Sequence, residues 1–259
     1  MSTTLNGSLI KALEILDLFS SEETEISAKS VAESLDMSVP TAHRFLLTLE
    51  HTGHLVSPRR GQFTLGQKLE GLGRLAFDIN PLPSLARPIV ESISRDLNES
   101  VMACRLGRKG PVCIASTNSR RPIRVSVDIG AELPISLTAQ GKLFLADMGQ
   151  KERLSRMQTD ATTRGETLEP EAIKHRQSEL EGVLNAGFAT NFGENESEIA
   201  AIAVPVRNEE GLTVVTLSVF GIMSAFDETL MNRSKSKLQS GAKKLEDLLT
   251  NRGRNRLKQ

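Results

Sequence analysis

Residues 27–56 read SAKSVAESLDMSVPTAHRFLLTLEHTGHLV, and this stretch decides the fold. Ala28, Val31, Ala32 and Leu35 repeat at helical spacing behind Ser27, a residue type that caps helix starts by accepting a backbone N–H. Asp36-Met37-Ser38 reads as a tight turn, because Asp tolerates left-handed backbone better than most residues. Ser38 then caps a second helix of the pair. Pro40 is tolerated in its first turn, where the N–H has no intrahelical partner. Val39, Ala42, Phe45, Leu46 and Leu49 are assigned to its inner face, and Gly53 ends it. Upstream, Leu9, Ile10, Leu13, Leu16 and Phe19 mark another helix, capped by Asn6 or Ser8, with an acidic connector from Glu22 to Glu25. Downstream, His54–Ser57 and Gln62–Leu65 flank the turn Pro58-Arg59-Arg60-Gly61 and read as a hairpin. Gly66 to Ile79 is helical, and Asn80-Pro81-Leu82-Pro83 is the clearest break in the chain.

Three short helices followed by a hairpin outline a winged helix-turn-helix. With its apolar stripe turned inward, the helix of about Ser38–Thr52 presents Pro40, Thr41, His43, Arg44, Thr48 and His51 on its outer side. Such a helix fits a DNA major groove, its N-terminal side chains meeting base edges. Arg44 can bond both acceptors of a guanine, and Ser38 and Thr41 can bond bases or phosphate. Arg59 and Arg60, at the tip of a wing spanning about His54–Leu65, suit phosphates or the minor groove. The competing reading is a solvated helix face in a small interaction module, which salt-insensitive or absent DNA binding would favour.

Composition at first argues against nucleic acid. The 259 residues carry 32 basic and 32 acidic side chains, a formal net charge of zero. Trp and Tyr are absent, so base stacking on single strands is not expected. Resolved along the chain, however, the only acid between Met37 and Lys68 is Glu50, against Arg44, Arg59, Arg60 and Lys68. A 39% hydrophobic, 25% charged chain is globular. No apolar run approaches the roughly 20 residues that span a bilayer, and the N-terminus lacks the pattern of a secretory signal. Cys104 and Cys113 can neither frame disulfides nor complete a zinc site, so the expected compartment is the cytoplasm.

The second half alternates helices and strands, which favours an α+β domain. Strand-like segments are Val101–Leu106, Val112–Thr117, Ile123–Asp128, Phe188–Asn191, Ile199–Val206 and Leu212–Phe220. Helices are expected over Ser84–Leu97, Thr138–Met148, Glu169–Ala186 and Phe226–Leu249, with short helical pieces from Lys151 to Met157 and a frayed basic tail from Arg252. In "PISLTAQGK", Ser136 and Thr138 precede a helix whose free N–H groups and positive dipole end favour an anion, and Ala139 and Gly141 admit a ligand close to the backbone. Capping by Thr138 and packing at Gly141 explain the same residues without a ligand.

The sequence resembles the IclR family of transcriptional regulators along nearly its whole length. In the first half the carriers are "SLIKALEILDLF", the stretch quoted above and "GQFTLGQKLEGLGRLA"; in the second they are "GAELPISLTAQGKLFLAD" and "GFATNFGENESEIAAIAVPVRN". The resemblance implies a winged helix-turn-helix over 1–65, a linker helix over 66–80 that contributes to dimerisation, and a GAF-like effector domain over 81–259 built on an antiparallel sheet. It implies a cytoplasmic homodimer or homotetramer, repressor or activator, whose operator binding answers to a small carboxylate. By motif, Thr138, Ala139, Gln140, Asn191, Ala201, Ser218 and Phe220 would line the effector site. Ser136 stands where the family often has His, Asn191 for a common Asp, Ala201 for a common Cys, Phe220 for a small polar residue and Glu198 for Gly. These exchanges make the site less polar and add an aromatic wall. They disfavour a two- or three-carbon oxo-acid and point to a larger carboxylic acid, an aromatic one included; "IAAIAVPVRN" resembles the branch that senses phenylpropionate-type acids.

Other constellations carry less. Cys104 and Cys113 lie in apolar strands and read as core; a hydrolase built on either lacks a paired base at recognisable spacing. His175 sits alone on a polar helix face. Arg121 and Arg124 read as a solvated strand edge, with an effector carboxylate as the alternative partner. No P-loop, GxSxG or HExxH occurs, and neither cofactor nor metal is expected.

Overall fold

The computed structural model describes residues 5–20, 22–79 and 81–256, with the side chains of 77, 78 and 252–256 outside the description. The chain divides into two compact units, Met1–Asn80 and Pro81–Gln259. The first contains helices α1 (Gly7–Leu16), α2 (Ala28–Ser34) and α3 (Val39–His51), strands β1 (Leu55–Arg59) and β2 (Gln62–Leu65), and helix α4 (Gln67–Ile79). The starts of α1, α2 and α3 each have a side-chain reason. Asn6 caps α1, Ser27 and Ser30 form a reciprocal capping box on α2, and the Ser38 hydroxyl accepts from Thr41 N. Between α2 and α3 the chain turns at Asp36, whose φ of 46° is the left-handed value a tight connection needs. Gly53 supplies the φ of 77° that stops α3.

Ile15, Val31, Ala42, Leu46, Leu55 and Phe63 close the core beneath these elements, and Ile26 bridges to Phe63 in the hairpin. Burying each of the larger side chains contributes about 1.5–3 kcal/mol. Val39, assigned to the inner face, is instead 48% exposed, at the first position of α3 directly after its Ser38 cap.

In the second unit, α5 (Leu82–Leu97) leads into β3 (Ser100–Leu106) and β4 (Pro111–Thr117). Then come α6 (Ala139–Asp147), α7 (Gln150–Thr163), α8 (Pro170–Ala186), β5 (Ala189–Phe192), β6 (Ile199–Arg207), β7 (Thr213–Ile222) and α9 (Glu228–Arg256). The sheet runs β4-β3-β7-β6-β5 with every neighbouring pair antiparallel. The α+β architecture expected from the alternating elements, and the antiparallel sheet that the family resemblance implies, are both observed. Side chains alternate through the sheet, so Val101, Ile202, Val204, Leu217 and Val219 pack with α5 and α9. Met102, Cys104, Cys113, Ala201, Ala203 and Phe220 pack on the other face with α6.

Three expectations fail here. Ile123–Asp128 joins no ladder; instead Gly130 and Ala131 exchange backbone bonds with Cys113, occupying the outer edge of β4. Val125 and Val127 still turn toward the core, which is why the segment carries a strand's period. The short helical pieces after Lys151 are one helix, α7, anchored by Arg153, whose guanidinium bonds the carbonyls of Leu145, Ala146 and Met148. The tail read as frayed continues α9 to Arg256; the side chains of its basic residues, and residues 257–259, lie outside the described residues.

Candidate functional site

The first site is the outer face of α3 with the hairpin. Ser38, Pro40, Thr41, His43, Arg44, Thr48, Arg59 and Arg60 are all exposed. Their polar groups differ in what already engages them. The Ser38 and Thr41 hydroxyls lie 2.8 Å apart, and Thr48 Oγ1 donates to the Arg44 carbonyl at 2.8 Å. Arg59 pairs with Glu25 at 2.5 Å, and Lys68 Nζ donates to the Thr52 carbonyl at 3.2 Å, where the C-terminal end of α3 favours a cation. Arg44 and Arg60 make no ion pair or side-chain hydrogen bond among the described residues. The basic face predicted from sequence thus holds two unengaged guanidinium groups, one on the helix and one on the wing.

The second site gathers around the start of α6. Asn191, Ala201 and Phe220 stand side by side across β5, β6 and β7, and Ser218 pairs with Ala203 in the next row. Ala139, Ala201 and Phe220 share one apolar cluster, and Gln140 Nε2 donates to Ser218 Oγ at 2.7 Å. All eight residues named for the effector, Ser136, Thr138, Ala139, Gln140, Asn191, Ala201, Ser218 and Phe220, are buried. Much of their polarity is internally matched. Thr138 Oγ1 donates to the Pro134 carbonyl and accepts from Gly141 N, while Asn191 Oδ1 accepts from Glu194 N. A Cβ on Gly141 would lie 2.0 Å from the Ile135 carbonyl oxygen, so close backbone packing alone requires glycine there. Ser136 Oγ is different: its residue is 3% exposed and the hydroxyl has no hydrogen-bond partner.

A charged network absent from the sequence reading supports this site. Lys142, 2% exposed, places Nζ 2.5 Å from both Glu179 and Glu194 and 2.9 Å from the Thr190 carbonyl. Arg176 reaches Glu194 at 3.7 Å and donates to the Ser136 carbonyl at 2.5 Å, while Asp160 accepts from Ser136 N at 3.1 Å. The loop before α6 is thereby clamped from both sides. One signal was available: Lys142 is the only charge in the apolar run between Thr138 and Ala146.

Two further features belong to this unit. Cys104 and Cys113 face each other across β3 and β4, both buried. Both thiols are free; the hydrogen bond between them, together with burial, pushes the Cys104 thiol well up while the same hydrogen bond draws Cys113 down, and the burial of both suits core residues. His175 is exposed on α8. At the far end of the sheet a cavity of about 370 Å³ lies beside Glu99, Arg121 and Arg124, and none of the eight effector candidates lines it. No group of three or more metal-binding side chains occurs among the described residues. No helix among them is long and apolar enough to cross a membrane.

A winged helix-turn-helix joined to an α+β unit with a buried, partly polar interior defines a DNA-binding regulator of transcription with a separate sensing domain. The chain belongs to the IclR family: residues 8–58 match the IclR helix-turn-helix domain, and residues 76–247 match the bacterial transcriptional regulator IclR C-terminal domain. It is 27% identical over 236 residues to the HTH-type transcriptional regulator XynR of Escherichia coli, covering 90% of this chain and 92% of the relative. It is 27% identical over 243 residues to KdgR of the same organism, covering 92% of this chain and 91% of that one. The IclR structure from Thermotoga maritima superposes with a TM-score of 0.70 at 24% identity, covering 93% of this chain and 98% of that one. An IclR homologue from Microbacterium hydrocarbonoxydans, solved with 4-hydroxybenzoate, superposes with a TM-score of 0.74 at 20% identity, covering 93% and 98%. Both family models and these curated relatives are of transcriptional regulators rather than enzymes.

Proposed function

We propose that this regulator reads its operator with the outer face of α3 in the major groove, and that a small organic carboxylate held at the start of α6 alters operator affinity. The observation that carries the first part is the exposed, unengaged guanidinium of Arg44 beside Thr41, His43 and Thr48. The wing offers Arg60 to the phosphate backbone or the minor groove. For the second part the support is the buried, orphaned Ser136 hydroxyl in the loop before α6, whose Thr138 cap accepts from Gly141 N and leaves the earlier first-turn amides without a side-chain cap. Phe220 adds an aromatic wall and favours a larger acid, and the 4-hydroxybenzoate bound by the Microbacterium homologue is of that class.

The acting form is a homodimer or a tetramer, working in the cytoplasm with α4 as the linker helix. On α4, Leu72, Leu75 and Ile79 are each about half exposed or more, as are Leu9 and Leu13 on α1. Apolar faces of this kind ask for a second copy, and a two-fold dimer reads a pseudo-palindrome. Footprinting on the DNA flanking the protein's own gene tests the reading. Protection of paired half-sites, shifted by 4-hydroxybenzoate and weakened by Arg44→Ala, supports it. Unchanged protection by Arg44→Ala removes that residue from base readout, and an aromatic acid without effect on either protein removes that effector class.

A further inference from the structure

We infer that the cavity at the β3–β7 end of the sheet is a second binding site, for an apolar monocarboxylate. It opens between the first residues of β3, the last residues of β7 and the strap from Ser119 to Val125. The strap is fixed without belonging to any ladder. Ser100 Oγ donates to the Val125 carbonyl at 2.7 Å and accepts from Ser119 N at 3.0 Å, while Ser119 Oγ donates to the Asn98 carbonyl at 2.7 Å. The cavity is therefore built into the fold. Its volume of about 370 Å³ lies in the range of small-molecule pockets.

Apolar groups from Pro122, Ile123, Val125, Ile222 and Ala225 form the walls and suit a ring-sized body. The charges decide the head group. Glu99, 3% exposed, is the buried charge at this end, lying over Gly221, where a Cβ would stand 3.3 Å from Glu99 Oε2. Arg121 forms an ion pair with Glu99 and is thereby neutralised. Arg124, on the same wall, is exposed and makes no ion pair among the described residues. The charged lining sums to one excess positive charge, which an anion neutralises and a cation does not. Glu99 Oε1 is the atom that Arg121 engages, so this pair offers a ligand no free charge and Arg124 alone is left to meet a head group. This site stands apart from the start of α6, and operator binding plays no part in assigning it.

Calorimetric titration of the full chain with benzoate, benzamide and benzylamine reads the preference directly. The expected order is benzoate above benzamide by about tenfold, with benzylamine weakest. Arg124→Met, a surface change, is expected to weaken benzoate by about tenfold and leave benzamide unaltered. Ala225→Phe, which fills the cavity, should abolish this benzoate component, and Ser218→Ala, beside α6, should leave it intact. Benzoate binding lost in Ser218→Ala yet kept in Ala225→Phe would place the ligand at α6 and overturn the second site. Equal affinity for all three probes overturns it, as does the absence of benzoate heat up to about 10 mM. A change of sedimentation in Ile123→Asp unaccompanied by any loss of benzoate affinity assigns the cavity mouth to a second copy of the chain instead, and equally overturns it.

Discussion

The two units hold their candidate residues in opposite ways: all eight on the DNA-reading unit are exposed, and all eight around α6 are buried. The difference follows from what each must meet. A duplex arrives as a large preformed surface, so side chains need only stand out from a rigid helix. A small acid gains little unless it is enclosed, and enclosure requires that the polar groups be matched when it is absent. The Gln140–Ser218 and Thr138–Gly141 bonds do that matching. On the proposed reading, ligand entry exchanges internal bonds for ligand bonds. Only a differential affinity for two arrangements of the protein can then change its grip on DNA.

The contrast is sharpest at Lys142, where the largest effect is expected. Replacing it by Met keeps the stem and strands the carboxylates of Glu179 and Glu194 around the vacated position. Breaking one side of a buried ion pair costs about 3–5 kcal/mol; the lower end applies here because both glutamates are nearly one-third exposed. Urea unfolding of the variant should show the loss in the C-terminal unit, with the N-terminal unit unchanged. Rescue by Lys142→Arg is not expected, since a planar fork does not fit three converging oxygens. A midpoint equal to that of the parent would mean that the two carboxylates find water instead.

On the exposed side the same kind of truncation acts on binding and not on stability. Arg44→Ala removes a side chain that touches no partner among the described residues, so the melting temperature should stay where it is. Specific operator binding should weaken by about 1–3 kcal/mol if Arg44 makes a bidentate guanine contact. A gel-shift titration beside a thermal melt separates the two outcomes. Loss of both together would make Arg44 a structural residue and erase the contrast.

How legible each unit was from sequence tracks the range of its interactions. The elements of the DNA-reading unit are delimited by signals a few residues apart: Ser27 and Ser38 caps, the Asp36 turn and the Gly53 stop all lie next to the helices they delimit. Even there Val39 misled, because an apolar residue in a helix's first turn fits the apolar period and still faces solvent. In the second unit the alternation of Val125 and Val127 implied a strand, yet a ladder needs a free neighbouring edge, and residues 130–131 already occupy that of β4. Lys142 finds Thr190 and Glu194 at separations of 48 and 52 residues, which no local pattern encodes. Ser136, Thr138 and Ala139 followed from the chemistry of a helix start, whereas Gln140, Asn191, Ala201, Ser218 and Phe220 followed from family resemblance. That they are closed over one another is a fact of packing.

A smaller effect is expected at Glu99. Burial pushes its carboxyl above the usual glutamate range, and Arg121 pulls only part of the way back. The folded chain thus holds this proton to a higher pH than the unfolded chain does. Where the unfolded state binds fewer protons, stability falls as pH rises, so this group favours folding less as pH climbs from the ordinary glutamate range through its raised value. Acidification across that window restores the contribution. Glu99→Gln should flatten this part of the profile, and thermal melts at pH 5 and pH 7 would show it. A parallel displacement of the two profiles would mean that the titration lies elsewhere.

The smallest effect returns to the exposed unit and to its charge balance. Arg59 is engaged by Glu25, an ion pair between exposed side chains that stabilises the fold by no more than about 1 kcal/mol. The same pair sets a competition on the wing, since phosphate must draw Arg59 away from a carboxylate. Glu25→Gln removes the competitor while leaving Arg44 and Arg60 as they are. Affinity for any duplex should then rise slightly, and the steepness of its salt dependence should grow by up to about one released counterion per wing. Specificity should fall in step, because the added contact reads no base. Measured over a salt series on operator and unrelated DNA, a gain confined to the operator would instead place Glu25 in base readout. An unchanged salt slope would show that Arg59 stays clear of the phosphates. A rise on both duplexes would show how a neutral chain can divide its charge: an acid such as Glu25 would temper the wing and leave discrimination to the proposed recognition helix.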